Sequence, residues 1–333
     1  MKKKVIELLK HKNKTVPILS FPSTQLLGIS VNELISSAEM QLRGMQAIAE
    51  KFSVGASLNM MDLSVEAEAF GAKIRFYDDD IPAVEKGIID DIADAEKIVV
   101  PEVGAGRTSI CIDGVKKAKE KITDIPVFCG VIGPYSLAGR IFDMTELMME
   151  CFDSPDEVRI LLSKATEFTI RYIKAFKEIG ADGVIMAEPA AGLLSPALAE
   201  EFSFPFVQQI FNEINSDDFI VCYHNCGNAA GDMLDMIGEL NADIIHLGNA
   251  INIKKALEEL PKDKIVMGNV NPVLFRTGTP DDITADVQKV FDECSMHENF
   301  MISTGCDVPA ASKWENIEAY FTAVNQLYNQ TEN

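Results

Sequence analysis

The chain has 333 residues, 47% hydrophobic and 24% charged, a globular composition that excludes disordered, collagenous and low-complexity architectures. Thirty Lys and Arg stand against 51 Asp and Glu, a formal net charge of −21. The summed field repels a phosphate backbone and argues against nucleic acid as a partner.

The start, MKKKVIELLKHKNK, is basic, but its apolar stretch runs only from Val5 to Leu9 and is broken by Glu7. That is too short for the core of a secretion signal. No apolar run approaches the roughly 18 residues of a membrane span, so a soluble cytoplasmic protein with no membrane partner is expected. Seven cysteines, at 111, 129, 151, 222, 226, 294 and 306, are odd in number and lack paired spacing, which predicts reduced thiols rather than a disulfide framework.

No fixed-period repeat is present. Short runs rich in Val, Ile and Phe alternate with segments of helical period, the pattern of βα units and a parallel sheet. The predicted strands are Val16–Phe21, Val54–Met60, Pro126–Ile132, Asp182–Ala187, Phe219–His224, Asp243–Leu247, Lys264–Gly268 and Phe300–Thr304. Between the first two, Ser30-Val31-Asn32-Glu33 reads as a capping box opening a helix with apolar positions Leu34, Ile35, Ala38, Leu42, Met45, Ile48 and Ala49. Residues 63–125 loosen into short helical pieces and an acidic turn, Asp78-Asp79-Asp80, an expected insertion beside the mouth of the fold. Ser154-Pro155-Asp156-Glu157 places a hydroxyl at the N-cap and proline at the first helical position of a helix that stops at Gly180. Ser312 to Tyr328 closes the chain with another amphipathic helix. Eight strands alternating with helices, and no Pro/Gly/Ser-rich linker, predict an α/β fold: one (β/α)8 TIM barrel domain over 1–333.

Reactive groups of such a barrel lie where strands end. His224-x-Cys226 ends the fifth predicted strand and Gly305-Cys306 follows the eighth. One imidazole and two thiolates are a three-ligand zinc set with a fourth position open, and soft sulfur selects zinc over magnesium or calcium. Small buried thiols are the competing reading. Glu188, before Pro189, is a candidate fourth ligand, partner to His224 or acid/base, or else a solvated rim carboxylate. Asn249 and Asn269 end strands six and seven, where an amide orients a substrate or caps a turn. His246 lies within an apolar strand and reads as core; His11 and His297 carry no role. Asn59-Met60-Met61 and Met144 to Met149 read as core filling or as an adaptable surface. No Walker A, G-x-G-x-x-G or G-x-S-x-G element occurs.

The chain resembles the uroporphyrinogen decarboxylase superfamily, and within it the methylcobamide:coenzyme M methyltransferases. Val131-Ile132-Gly133-Pro134-Tyr135-Ser136-Leu137-Ala138 is similar to the family's G-P-x-[ST]-L-A turn. Ala187-Glu188-Pro189 through Leu194-Ser195-Pro196 is similar to its A-D-P and L-[IM]-S-P segment. His224-Asn225-Cys226-Gly227-Asn228 resembles its H-x-C-G-N zinc motif, Gly268-Asn269-Val270 its G-N-V turn and Gly305-Cys306 its late G-C ligand. The matches run in order from about Val16 to the C-terminus.

The resemblance implies a barrel that holds Zn2+ by His224, Cys226 and Cys306. It implies transfer of a methyl group from a methyl-Co(III) corrinoid, carried by a small corrinoid protein, to a small thiol such as coenzyme M. Two departures stand out. The family's Asp before Pro is Glu188 here, and Ser20–Gly28 carries no arginine where the decarboxylases have R-Q-A-G-R, so tetrapyrrole decarboxylation is disfavoured. The opposite half-reaction (demethylating a methoxy, methylamine or methylthio compound), an acceptor such as homocysteine or tetrahydrofolate, and a non-catalytic corrinoid-binding protein remain as alternatives.

Overall fold

The computed structural model describes residues 15–331; the basic start and His11 lie outside them. The strands are β1 (Ser57–Leu58), β2 (Lys73–Arg75), β3 (Ala83–Lys86), β4 (Val127–Ile132), β5 (Gly183–Ala187), β6 (Ile220–Asn225), β7 (Ile244–Leu247), β8 (Ile265–Val270) and β9 (Phe300–Thr304). Seven of them form one parallel sheet in the order β1-β4-β5-β6-β7-β8-β9, while β2 and β3 pair as an antiparallel hairpin. Helices separate nearly all the consecutive sheet strands, the short-crossover pattern of a barrel. No helix among the described residues is long and apolar enough to cross a membrane.

The first predicted strand, Val16–Phe21, is not a ladder strand. Thr15 alone bridges Val54 in parallel, and Pro17 has no N–H to give a sheet neighbour. Side chains replace the ladder to β9. Ile18 N donates to Thr304 Oγ1 at 3.1 Å, and Ser303 Oγ donates to the Val16 carbonyl at 2.7 Å. Val16 and Ile18 nevertheless pack with Leu58, Phe128, Ile185, Ile220, Ile244, Ile265 and Met301, one residue set from every side of the sheet, so this segment fills the closing position of the barrel without strand geometry. Thr15 Oγ1 donates to the Ile302 carbonyl at 2.7 Å and accepts from the buried Tyr320 hydroxyl. Replacing Thr15 with Val is therefore expected to cost about 1–3 kcal/mol by orphaning that hydroxyl, and adding Tyr320→Phe should restore part of it, both read from chemical denaturation.

Local signals elsewhere have mixed outcomes. The Ser30 capping box forms with Glu33, but the helix runs only Val31–Ile35. Ser37 then caps a new helix, Ala38–Lys51, through Met40 N, because a second serine offers the backbone a competing hydrogen bond. The long helix is Pro155–Glu178, with Pro155 at its start, yet the Ser154 side chain makes no cap bond. Its Val158, Leu161, Leu162, Ala165, Phe168, Tyr172 and Phe176 are buried at helical spacing against the outside of the sheet. Within 63–125, helix Thr108–Lys121 packs along Ala38–Lys51 in the outer helix layer, whereas Leu63, Ser64, Ile81, Pro82, Val84 to Gly87, Ile89 and Asp90 line cavities at the mouth. Met60 and Met61 are buried, and Met149 is exposed.

Candidate metal centre

Alternation along the strands decides which side chains enter the barrel. On β6, Ile220 and Cys222 belong to the interior cluster while Val221 and Tyr223 face the helices. His224 and then Cys226 continue the inward series. Cys306 follows the end of β9, and the Nδ1/Nε2 and Sγ atoms of His224, Cys226 and Cys306 lie within 4.8 Å of one another. The close approach of neighbouring loops needs Gly248, where a Cβ would stand 2.5 Å from Cys226 Cα.

His224 Nδ1 lies 3.3 Å from the His246 carbonyl. A carbonyl only accepts, so the proton is on Nδ1 and the Nε2 lone pair is free. Nε2 is buried without a protein partner, the condition of an imidazole set to ligate. His246 stacks on His224 with ring centroids 4.5 Å apart, donates Nε2–H to the Thr304 carbonyl at 2.7 Å, and is held neutral because burial, and then His224, depress its pKa far below the usual range. Sequence pattern placed His246 in the core; it also fixes the tautomer of His224 through its backbone.

The two sulfurs are 3.7 Å apart, and two ~2.3 Å zinc–sulfur bonds at a tetrahedral angle span about 3.8 Å. The donor set, its spacing and the orphaned Nε2 all fit zinc. The thiols titrate apart: Cys226 is lowered by the hydrogen bond from Cys306, while that bond and burial push Cys306 up to about 12. All seven cysteines are free.

Glu188 does not join this cluster. Ala187 points inward, so the next residue points through the barrel wall. Its carboxylate accepts from Tyr135 N at 2.9 Å, Ser136 N at 2.7 Å and Ser136 Oγ, capping the first turn of helix Pro134–Ile141. A Cβ at Gly133 would stand 2.4 Å from its Oε2, which accounts for glycine there. Complete burial raises its carboxyl to about 7 against those three hydrogen bonds. Asn269 is likewise occupied, its Nδ2 donating to the Gly248 and Ile251 carbonyls at 2.9 and 2.8 Å. Asn249 is exposed beside Gly305.

A cavity of about 150 Å3 opens against the cluster, lined by His224, Cys226 and Cys306 together with Ile18, Met61 and Asp307. Asp307 Oδ1 is buried without a partner, and burial raises its carboxyl far above the usual range. Arg140, Pro189 and Cys226 also line a wider cleft of about 890 Å3, bounded by the β2–β3 hairpin and helix Met144–Asp153. Asp62, on the inner wall, is bound by Arg107, which also donates to Glu68 and Ser64. Sequence reasoning passed over Asp62, Arg107, Asp307 and Arg140. Arg140 alone carried a signal, a single cation in the apolar run Pro134-Tyr135-Ser136-Leu137-Ala138-Gly139-Arg140-Ile141.

Comparison with known proteins agrees with this architecture. The methylcobamide:CoM methyltransferase MtbA of Methanosarcina acetivorans is 27% identical over 262 residues, 77% of this chain and 75% of that protein. A uroporphyrinogen decarboxylase of Carboxydothermus hydrogenoformans is 23% identical over 305 residues, 89% of this chain and 85% of that one. The solved structure of a methyltransferase from Methanosarcina mazei superposes with a TM-score of 0.86 at 24% identity, covering 98% of each chain, a likeness of fold. Residues 3–327 match the family described as Uroporphyrinogen decarboxylase (URO-D): the chain belongs to that family.

Proposed function

We propose that this chain is a cytoplasmic, zinc-dependent methyltransferase that moves a methyl group from a methyl-Co(III) corrinoid, presented by a small corrinoid protein, to a small thiol such as coenzyme M. The observation that carries this reading is the convergence of the His224 imidazole with the Cys226 and Cys306 sulfurs on a cavity of small-molecule size. A relative named for methylcobamide:CoM methyl transfer supports it, and the arginine-free stretch Ser20–Gly28 speaks against decarboxylation of a propionate-bearing tetrapyrrole.

Zinc held by His224, Cys226 and Cys306 would lower the pKa of an entering thiol, so that it is a thiolate at neutral pH. The chain's residues do the rest. His224 keeps its proton on Nδ1, against the His246 carbonyl. Ile18, Met61 and Leu63 make one side of the inner cavity apolar, which limits water around the nucleophile. The wider cleft, which shares Arg140, Pro189 and Cys226 with the cavity wall, is where the corrinoid face is received. In the overall balance the thiol proton leaves to solvent, the sulfur–carbon bond forms, and the cobalt–carbon bond breaks with its electron pair left on Co(I). Nothing needs protonation at carbon. Glu188, bound to Tyr135 and Ser136, serves as an anchor for the mouth and not as the acid/base. Asn249, exposed at the mouth, remains a candidate for contact with substrate, while Asn269 acts by holding the loop after β7.

The test is the visible spectrum of methylcobalamin incubated anaerobically with zinc-loaded protein and, in turn, coenzyme M, homocysteine and tetrahydrofolate. Conversion to cob(I)alamin with one acceptor only is expected, and identifies it. No conversion with any acceptor, in protein holding one zinc per chain and given its corrinoid partner, overturns the proposal.

A further inference from the structure

His246 is a polar side chain held entirely inside the barrel. It follows the inward Ile244 by two residues on β7 and pairs in register with His224 of β6, which brings the two ring centroids to 4.5 Å. Both side chains are buried. The 2.7 Å contact between Nε2 and the Thr304 carbonyl places the His246 proton on Nε2, and Nδ1 is left buried without a partner. An unpartnered buried nitrogen costs free energy, so a position that needed volume alone would be better filled by Leu or Met. The compensation lies in where Nε2–H goes. Strand β8 stands between β7 and β9, yet the imidazole reaches past it to the last residue of β9, two before Cys306. The N–H of the same peptide unit, Gly305 N, donates to the Val270 carbonyl at 2.7 Å, so the peptide that leads into Cys306 is held at both of its polar atoms. The loop after β7 also touches both halves of the donor set. A Cβ at Gly248 would stand 2.5 Å from Cys226 Cα, and one at Gly305 would stand 2.7 Å from Asn249 N.

We propose that His246 is a positioning residue that spaces the two halves of the centre, His224 with Cys226 at the end of β6 and Cys306 beyond β9. Its carbonyl orients the His224 imidazole, and its Nε2–H fixes where the Cys306 loop begins. The 3.7 Å approach of the two sulfurs is then set by the chain itself, and a donor set ordered in advance binds without that ordering cost. The proposal rests on the reading above for what the centre does, methyl transfer on zinc; the spacing is a property of the metal-free chain.

The test compares His246→Phe, which keeps an aromatic ring beside His224 but loses the donor, with His246→Gln, whose Nε2 still donates at nearly the same reach. The backbone contact to His224 is present in both. Zinc affinity, measured by competition with a chromophoric chelator, is expected to fall about 10- to 100-fold in His246→Phe, the usual cost of removing a hydrogen bond behind a metal site, and to stay near that of the wild type in His246→Gln. With cobalt(II) as the probe, thiolate-to-metal charge-transfer absorption should weaken toward that of one sulfur in His246→Phe and remain whole in His246→Gln, a distinction that general destabilisation does not produce. The metal-free arm is the rate of alkylation by iodoacetamide, read by mass spectrometry for each cysteine. Cys306 should react faster in His246→Phe, with Cys226 unmoved, and at the wild-type rate in His246→Gln. Wild-type affinity and alkylation in His246→Phe, or a His246→Gln variant as impaired as His246→Phe, overturns the proposal. If His246→Phe does not fold, His246→Asn, whose amide is too short to reach Thr304, takes its place with the same expectations. A wild type that binds neither metal rejects the zinc reading alone, because the alkylation rates still decide the spacing.

Discussion

Replacing Cys306 with Ala is expected to abolish binding of the proposed zinc and to reduce methyl transfer by at least about 10³-fold, because a proposed ligand and half of the sulfur charge at the site disappear together. Zinc would be counted per chain after dialysis against a weak chelator, and turnover followed by the loss of methylcobalamin. Cys226→Ala should do the same, and the double variant should be no worse than either, since the three donors act as one unit. A chelator should inactivate the wild type, and zinc should restore it but not the variants. The geometry behind this expectation is the 3.7 Å sulfur–sulfur approach and the unpartnered His224 Nε2. One zinc per chain with full turnover in Cys306→Ala would sink the ligand assignment.

Glu188→Ala, on the other hand, should be primarily a stability variant. It leaves Tyr135 N, Ser136 N and Ser136 Oγ, all buried, without their acceptor, and Ser136 Oγ is itself the acceptor for Ala190 N at 3.0 Å. Each orphaned donor costs about 1–3 kcal/mol, not additively, so a loss of about 3–5 kcal/mol is expected, as for the removal of one partner of a buried charged contact. Glu188→Gln, keeping one acceptor oxygen, should lose less. Chemical denaturation measures both. A chemical role for this carboxylate predicts the reverse result, unchanged stability with kcat lost in both variants, and that outcome would restore it to the reaction.

The contrast between Cys306 and Glu188 shows what kind of information a sequence carries. Both end predicted strands, both belong to matched motifs, and both are chemically able to ligate. The residue types and the strand ends were legible, because β-branched runs and turn residues report on their neighbours within a few positions. Facing was only partly legible. Cys226 keeps the inward parity of Ile220, Cys222 and His224, whereas Glu188 follows the inward Ala187 and therefore turns to the helix layer. That alternation was available for Glu188 too, but the barrel interior had to be identified before parity had a sign.

Other local readings succeeded or failed for the same reason. The Ser30–Glu33 box formed because all its partners lie within one turn, but the helix it opened ended at Ile35, where Ser37 caps a second start. Val16–Phe21 has strand composition and strand packing; Pro17 and the hydroxyls of Thr15, Ser303 and Thr304 decided that it closes the barrel by side-chain hydrogen bonds.

By itself, then, the sequence determined the alternation that builds a parallel α/β barrel, helix starts such as Ser30 and Pro155, and the identity of one imidazole and two thiols at strand ends. Only the tertiary structure decided that one donor atom from each of residues 224, 226 and 306 lies within 4.8 Å of the others, that Glu188 and Asn269 are spent on backbone groups, and that Arg140 lines the same cavity as the two sulfurs. Propensity and capping act over a turn or a pleat, while ligand convergence and the pairing of a buried cation depend on chain segments that meet only when the sheet has curled and its glycines have let the loops close.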